Sequence, residues 1–506
     1  MKAMAKQLLF AVLLLCELVV LTPQAHAQGG IPLWTNRYNG PGNANDVAYA
    51  LAVHSSGDVV VTGYSYSADS SADYSTIKYS NAGVPVWTNR YDGPGLDYDV
   101  ATAVAVNHDG DVFVTGYSTD TNAFFNYATI AYSSAGIPLW TNRYHGPGNH
   151  DSAYAVIVDN SGDVLVTGES RNGTNNPDYA TIKYSGAGLP LWTNRYNGPA
   201  NKHDYALAMA VDSSGNSFVT GSSGGFSVND TEYATVAYSA AGIPLWTNRY
   251  SGPGNGDAKA IAVDNGGKVF VTGESFGAGT GDDYATIAYS TAGVPLWTNR
   301  YNGPANRFDW AEAITVDSNG DVLVTGASDG IGTSSDYATI KYSSSGVPMW
   351  TNRYDLGSSN NRAYAIAVDN NGSVFVTGSS GTVAYSRAGV PLWTDVSGIV
   401  GHAIGMDSYG NVFVTGFSIG SGLDYAAIKY SSSVPAIHLA IERDNSDGFF
   451  IRVTSVPNTT CRLQRSPNVT GSWSDIATNT LMSAFTEFHD TNASSGQMFY
   501  RAVLVP

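Results

Sequence analysis

The chain has 506 residues, 43% of them hydrophobic and only 13% charged, with 56 Gly and 32 Tyr. That profile excludes wholesale disorder and favours short strands joined by tight turns over helix. The formal net charge of −17 comes with no basic stripe to neutralise phosphates, which argues against a nucleic-acid partner.

Residues 1–27 read as a cleavable export signal. Lys2 and Lys6 precede the run 8–21, apolar apart from Glu17, and Ala25-His26-Ala27 matches the small-residue cleavage pattern. The run falls short of the roughly 20 residues a spanning helix needs, so no membrane span is expected. The expected location is secreted or cell-surface. Cleavage before Gln28 leaves Cys461 as the single cysteine, so no intramolecular disulfide can form.

Residues 28–433 are a repeat array. Trp-Thr-Asn-Arg-Tyr begins at Trp34, Trp87, Trp140, Trp192, Trp246, Trp297 and Trp350, with a degenerate copy at Trp393; the spacings are 53, 53, 52, 54, 51, 53 and 43. One unit runs Tyr49-Ala-Leu-Ala-Val53, Asp58-Val-Val-Val-Thr-Gly63, Tyr74-Ser-Thr-Ile-Lys-Tyr79 and Val84-Pro-Val-Trp-Thr-Asn-Arg-Tyr91. Four β-rich runs at a period near 50, separated by Gly/Ser/Asp turns, predict a propeller blade.

Val-Thr-Gly occurs eight times, ending at Gly63, Gly116, Gly168, Gly221, Gly273, Gly326, Gly378 and Gly416. After Tyr430 no Trp strand follows. Residues 31–38 are therefore expected to supply the outer strand of the last blade, closing the ring and removing an open edge. The expected fold is all-β: an eight-bladed propeller followed by a small β-sandwich. A seven-bladed ring with one stray unit is the competing arrangement. The motifs Ala365-Ile-Ala-Val-Asp369-Asn-Asn-Gly372-Ser-Val-Phe-Val-Thr-Gly378 and Asp178-Tyr-Ala-Thr-Ile-Lys-Tyr184 resemble the SBBP-type bacterial β-propeller repeat, whose strand pattern is similar to NHL propellers. The resemblance implies a fold and an extracellular setting, and brings no catalytic residue.

From residue 434 to 506 the period stops. Strand-like runs at 437–442, 449–454, 461–464, 485–488 and 499–504 suggest the sandwich, and the pattern from Cys461 to Arg501 is similar to small C-terminal modules of secreted bacterial proteins.

Several motifs have structural explanations. Gly-x-Ser-x-Gly at Gly273, Gly326 and Gly416 is each time the tail of Val-Thr-Gly, without the strand-turn-helix setting of a nucleophile elbow. The turns Asp317-Ser-Asn-Gly-Asp321, Asp159-Asn-Ser-Gly-Asp163 and Asn107-His-Asp-Gly-Asp111 offer too few oxygens for calcium and read as turn chemistry. No zinc spacing exists among the histidines. No cofactor, metal or catalytic set is expected. The repeated Trp residues are expected to be buried in blade-to-blade packing, with Asn-Arg-Tyr bonding outer strands to their neighbours.

The symmetry breaks on one face. The connections after Val-Thr-Gly and after Trp-Thr-Asn-Arg-Tyr are long and variable, and the former is nearly absent in the seventh unit. The residue before the recurring Ala of each inner strand (Ala50 in the first unit, Ala403 in the last) changes from unit to unit: Tyr49, Thr102, Tyr154, Leu207, Lys259, Glu312, Tyr364 and His402. This ring is expected where the central channel opens, with Lys259 beside Glu312. Lys259, Arg307, Trp310, Glu312, Tyr364 and His402 are the candidate ligand-binding residues. The expected function is non-enzymatic binding or scaffolding as a monomer, with an extracellular glycan or protein ligand. The alternative is a polysaccharide lyase or hydrolase with its site at the channel mouth.

Overall fold

The computed structural model describes residue 30 and residues 32–431, apart from 69–70, 96, 174–175, 226–229, 333, 356–359, 397 and 421. Beyond these it describes 438–443, 449–454, 460–467, 472–480, 485–490 and 499–504. The export signal expected over residues 1–27 lies outside the described residues.

All 38 described elements are strands, and the first 32 form eight four-stranded antiparallel sheets. Blade 1 is β2 (Asp46–Val53), β3 (Val59–Tyr66), β4 (Ala72–Tyr79) and β5 (Pro85–Tyr91), in that order from the inside out. Blades 2 to 6 repeat it as β6–β9 (99–144), β10–β13 (151–196), β14–β17 (204–250), β18–β21 (256–301) and β22–β25 (309–354). Blade 7 is shortened: β26 (Ala363–Val368), β27 (Val374–Gly378), β28 (Gly381–Tyr385) and β29 (Pro391–Asp395). Blade 8 combines β30 (Ile399–Met406), β31 (Val412–Ile419) and β32 (Leu423–Tyr430) with β1 (Pro32–Tyr38).

The closing strand is the one the repeat count requires. β1 runs antiparallel to β32, pairing Thr35 with Ile428 and Tyr38 with Tyr425. Blade 8 then packs on blade 1, where Phe413, Tyr425 and Ala427 share a core with Ala48, Val59, Val61 and Ile77. The chain is an eight-bladed β-propeller closed by its N-terminal strand.

Apolar clusters sit between blades. Val60 and Tyr74 of blade 1, for instance, pack with Ala101, Val112, Val114 and Ile130 of blade 2. The outer strand adds a polar clasp. Trp87 Nε1 donates to the Ser134 carbonyl of the next blade at 3.2 Å, and Asn89 Nδ2 to the Gly136 carbonyl at 2.8 Å. The indole leaves no room at that hairpin, since a Cβ on Gly136 would lie 2.6 Å from the Trp87 ring; Gly136 also has φ 81°. Tyr91 OH accepts from Arg143 of blade 2 at 3.0 Å, and buried Tyr74 donates across the same junction to the Ala128 carbonyl at 3.1 Å. The repeated Trp residues are therefore half-buried clasps rather than core, with Trp393 the exception at 3% exposure. Their indole N–H must reach a hairpin at the rim, which keeps one ring edge near water.

After the propeller come two three-stranded sheets. One orders β33 (His438–Arg443), β34 (Phe449–Thr454) and β37 (Phe485–Asp490); the other orders β36 (Ser474–Thr480), β35 (Thr460–Ser466) and β38 (Phe499–Leu504). Ile451, Val453 and Phe488 of the first pack with Leu463 of the second, so the module is a small sandwich. β36 is the strand the sequence reading omits, because Ser-Asp-Ile-Ala-Thr-Asn-Thr has too few apolar residues to alternate.

Candidate functional site: the channel mouth

The mouth starts from a backbone irregularity. In β2, Ala48 and Ala50 pair with Gly63 and Thr62 of β3, leaving Tyr49 as the extra residue of a β-bulge. The same shift isolates Thr102, Tyr154, Leu207, Lys259, Glu312, Tyr364 and His402. The facing glycine permits it. A Cβ on Gly63 would overlap the Val47 carbonyl oxygen, and each Val-Thr-Gly glycine meets the corresponding carbonyl of its own blade. The constant glycine and the variable residue are thus two sides of one device, and bulges commonly re-aim side chains in this way.

These side chains meet across blade boundaries. The His402 ring stacks on Tyr49 with centroids 5.4 Å apart, and its Nδ1 bonds the Ala48 carbonyl at 3.0 Å. Thr102 Oγ1 donates to the Ala153 carbonyl at 2.8 Å. His402 and Thr102 are thus held by partners on the next blade.

Blades 5 and 6 carry the charged sector. Lys259 Nζ lies 3.6 Å from Glu274 and 4.0 Å from Asp257. Glu312 is bonded instead by Arg362 of blade 7, whose Nε donates to Oε1 at 2.9 Å. Lys259 and Glu312 occupy the bulge positions of adjacent blades, but each is bonded by another residue. Glu274, next to Gly273 on the second strand, takes the lysine within its own blade, and Arg362 reaches the glutamate from the other side. Burial raises the Glu274 carboxyl; Lys259 opposes that, while Asp257, Asp282 and Glu312 add to it. Trp310 stacks on Phe308 at 5.5 Å, lies under the Arg362 guanidinium at 5.5 Å, and donates Nε1 to Asp282 at 3.4 Å. Its indole is engaged by the protein, while Arg307 and Phe308 beside it are exposed.

Starting beside this sector, blades 7, 8, 1 and 2 carry an aromatic sector that sequence reasoning largely missed. Tyr364 meets His402 edge-on at 5.8 Å, and His402 also meets Phe417 at 5.3 Å. Tyr49 continues the series to Tyr64 at 5.8 Å, and Tyr64 to Tyr66 at 5.8 Å. In blade 2, Tyr117 contacts Phe125 at 4.9 Å, and Phe125 contacts His150 of blade 3 at 4.9 Å. Burial raises the phenols of Tyr49 and Tyr117, and burial with Tyr49 pushes Tyr64 to about 12. Burial lowers the His402 imidazole, opposed by its bond to the Ala48 carbonyl. The available signal was an aromatic residue directly after Gly63, Gly116 and Gly416. Tyr364 and His402 belong to this sector, and the other four candidates to the charged one.

The remaining motifs fall into the framework. Ser275, Ser328 and Ser418 of the Gly-x-Ser-x-Gly copies are buried, and Ser275 Oγ accepts from Arg300 at 2.7 Å. In the hairpin turns, Asp159 Oδ1 accepts from the N–H groups of Ser161 at 2.8 Å and Asp163 at 3.0 Å. The Lys183 ammonium sits 2.8 Å from Asp159 and 3.1 Å from Asp163, and Lys341 likewise bridges Asp317 and Asp321. A lysine of the third strand therefore occupies the space between these acid pairs. Among the described residues, Asp73, Asp92 and Asp99 form the acidic group at the blade 1–2 junction, but Asp73 is bonded by Arg90 and Asp99 by the N–H groups of Gly93 and Thr119. Among the described residues no helix is long and apolar enough to cross a membrane.

No family model and no curated protein sequence matches the chain. Solved structures similar to it include BamB from Moraxella catarrhalis, at 13% identity, 78% of this chain, 97% of that one and TM-score 0.44. PorZ, a surface component of the type-IX secretion system of Porphyromonas gingivalis, is 13% identical over 91% of this chain and 81% of its own, with TM-score 0.36. The gluconolactonase XC5397 of Xanthomonas campestris is 12% identical over 54% of this chain and 91% of its own, with TM-score 0.31.

Proposed function

We propose that the chain is an exported, SBBP-type binding or scaffold protein whose ligand surface is the variable face of the propeller. The observation that supports this most is where the variation falls. Seven junctions repeat one clasp nearly residue for residue, while the eight bulge positions at the mouth carry eight environments built from Tyr, Thr, Leu, Lys, Glu and His. A rigid scaffold presenting diverse side chains on one face is the usual arrangement of a recognition surface. The ligand on this reading is an extracellular glycan or protein, and nucleic acid is disfavoured by the charge of −17.

The test is a polysaccharide and protein-ligand screen scored for binding and for product release. Arg307→Ala with Phe308→Ala on the variable face is compared with Tyr409→Ala, 76% exposed on a short hairpin of the opposite face. Loss confined to variants of the variable face is the expected result; loss with Tyr409→Ala alone contradicts it.

A second reading has one observation in its favour. Glu274 is raised by burial while Glu312, on the neighbouring blade, is bonded by Arg362. Two carboxyl groups in unlike environments are the raw material of acid–base catalysis on polysaccharide. Product release abolished by Glu274→Gln would promote that enzyme reading.

A further inference from the structure

The aromatic sector of the mouth differs from the rest of the molecule in three respects. Its ring contacts form two series, from Tyr364 through His402 and Tyr49 to Tyr64, and from Tyr117 through Phe125 to His150. The two series meet on adjacent blades, where Tyr64 is near enough to raise the Tyr117 phenol. The sector is poorer in charge, with Glu169 3.6 Å from His150 at its far end and Asp97 exposed beside Tyr98, whereas the acids Asp257, Glu274, Asp282 and Glu312 gather on blades 5 and 6. It is also open at one end. Blade 7 joins β27 to β28 through Ser379 and Ser380 alone, so the rim is lowest beside Tyr364 and His402.

We propose that this arc binds an extended, uncharged polysaccharide, which crosses the lowered rim at blade 7 and lies along the rings of blades 8, 1 and 2. The proposal rests on the variable face being the binding face. Its chemistry is that of sugar rings. The C–H face of a pyranose packs on the negative face of an aromatic ring, and phenol O–H groups serve its hydroxyls. Anionic chains are repelled by a molecule of net charge −17, and the densest group of mouth carboxylates, which a cationic chain would seek, lies on blades 5 and 6 rather than along the arc. Tyr98, whose phenol bonds that of Tyr66, extends the arc, and it and Tyr49, at 45% and 38% exposure, are the members most open to a ligand.

The test is affinity electrophoresis of the mature full-length protein through gels containing laminarin, xylan, galactomannan or soluble starch, with alginate and polygalacturonate as anionic probes. Retardation by at least one neutral polymer is expected, weakened about tenfold by Tyr49→Ala and by Tyr98→Ala, the scale of one lost stacking contact. Tyr49→Phe retains binding within about threefold, and Tyr409→Ala leaves it unchanged, because one keeps the ring and the other lies on the opposite face. Unchanged melting temperatures separate lost contact from lost fold. Retardation by no neutral polymer, by the anionic ones alone, or with indifference to Tyr49 and Tyr98 overturns the proposal. Loss caused instead by Arg307→Ala and Phe308→Ala would overturn it while leaving the variable face as the binding face. A protein ligand lost with Tyr49→Ala would do the same. Loss with Tyr409→Ala alone would remove both.

Discussion

Blade 1 meets blade 2, and blade 7 meets blade 8, across the same kind of strand edge, yet the two junctions are held differently. The first has the full clasp: Trp87 and Asn89 on the next hairpin, Tyr91 on Arg143, Tyr74 on the Ala128 carbonyl. At the second, Asp395 stands where the Asn would be, and Trp393 is buried with no hydrogen-bond partner for Nε1 among the described residues. What remains is apolar packing of Phe375 and Trp393 on Ile399, Val414 and Ile428, with the Tyr430 hydroxyl bonded to Asp395. The cause is topological. Every other blade joins its third strand to its outer strand by a hairpin that accepts the preceding indole. In blade 8 the chain leaves at Ser431 and the outer strand arrives from the N-terminus, so closure removes the acceptor. Gly30, just ahead of β1, lies against the Trp393 ring instead; a Cβ there would be 2.8 Å from it. The same strand that seals the ring leaves one junction without its polar clasp.

The largest effect is expected from removing that strand. A chain lacking residues 28–40 exposes the β32 edge and the Trp393 ring, and should lose its single cooperative transition in calorimetry. Melting like the intact protein would contradict the closure. Next come the two kinds of tryptophan. Trp393→Ala should cost about 3–5 kcal/mol, as for a fully buried aromatic, and Trp192→Ala about 2–3 kcal/mol because it is only half-buried and loses one hydrogen bond. The phenylalanine variants sharpen the contrast. Trp192→Phe gives up its bond to Ala240, whereas Trp393→Phe removes an unpartnered donor and should cost less, as denaturant midpoints would report.

Tyr74→Phe deletes one buried hydrogen bond at the blade 1–2 junction and should lower stability by about 1 kcal/mol. The smallest effect concerns pH. Asp309 opens β22 at the blade 5–6 junction, and burial, with Asp283 nearby, raises its carboxyl to about 6. A carboxyl raised on folding favours the folded state at low pH, and that contribution disappears as pH rises from its ordinary value of 3.8 through about 6. Asp309→Asn should therefore compare better with the parent at pH 7.5 than at pH 4.5. At the blade 7–8 junction the corresponding residue is Ile399, so this pH response has no counterpart there.

The blades were legible because turn glycines and strand residues recur at a fixed period, and closure because eight Val-Thr-Gly copies met a Trp strand missing at one end. The bulges were not, since a one-residue register shift leaves no compositional mark. The sign of it was an invariant glycine facing a residue that never settles. The aromatic arc was harder still. Its members occupy different strand positions on adjacent blades and come together only when the ring is built. Trp310, a candidate outside the repeated Trp-Thr-Asn-Arg-Tyr set, is occupied by packing with Phe308, Arg362 and Asp282.

Hydrogen exchange of β32 in the full-length protein tests the closure most directly. If β1 completes blade 8, the segment 423–430 is protected as strongly as its counterpart 72–79 in blade 1, which has partners on both sides. Exchange of 423–430 as fast as the outer strand 85–91, paired on one side only, would show an open edge and contradict the ring.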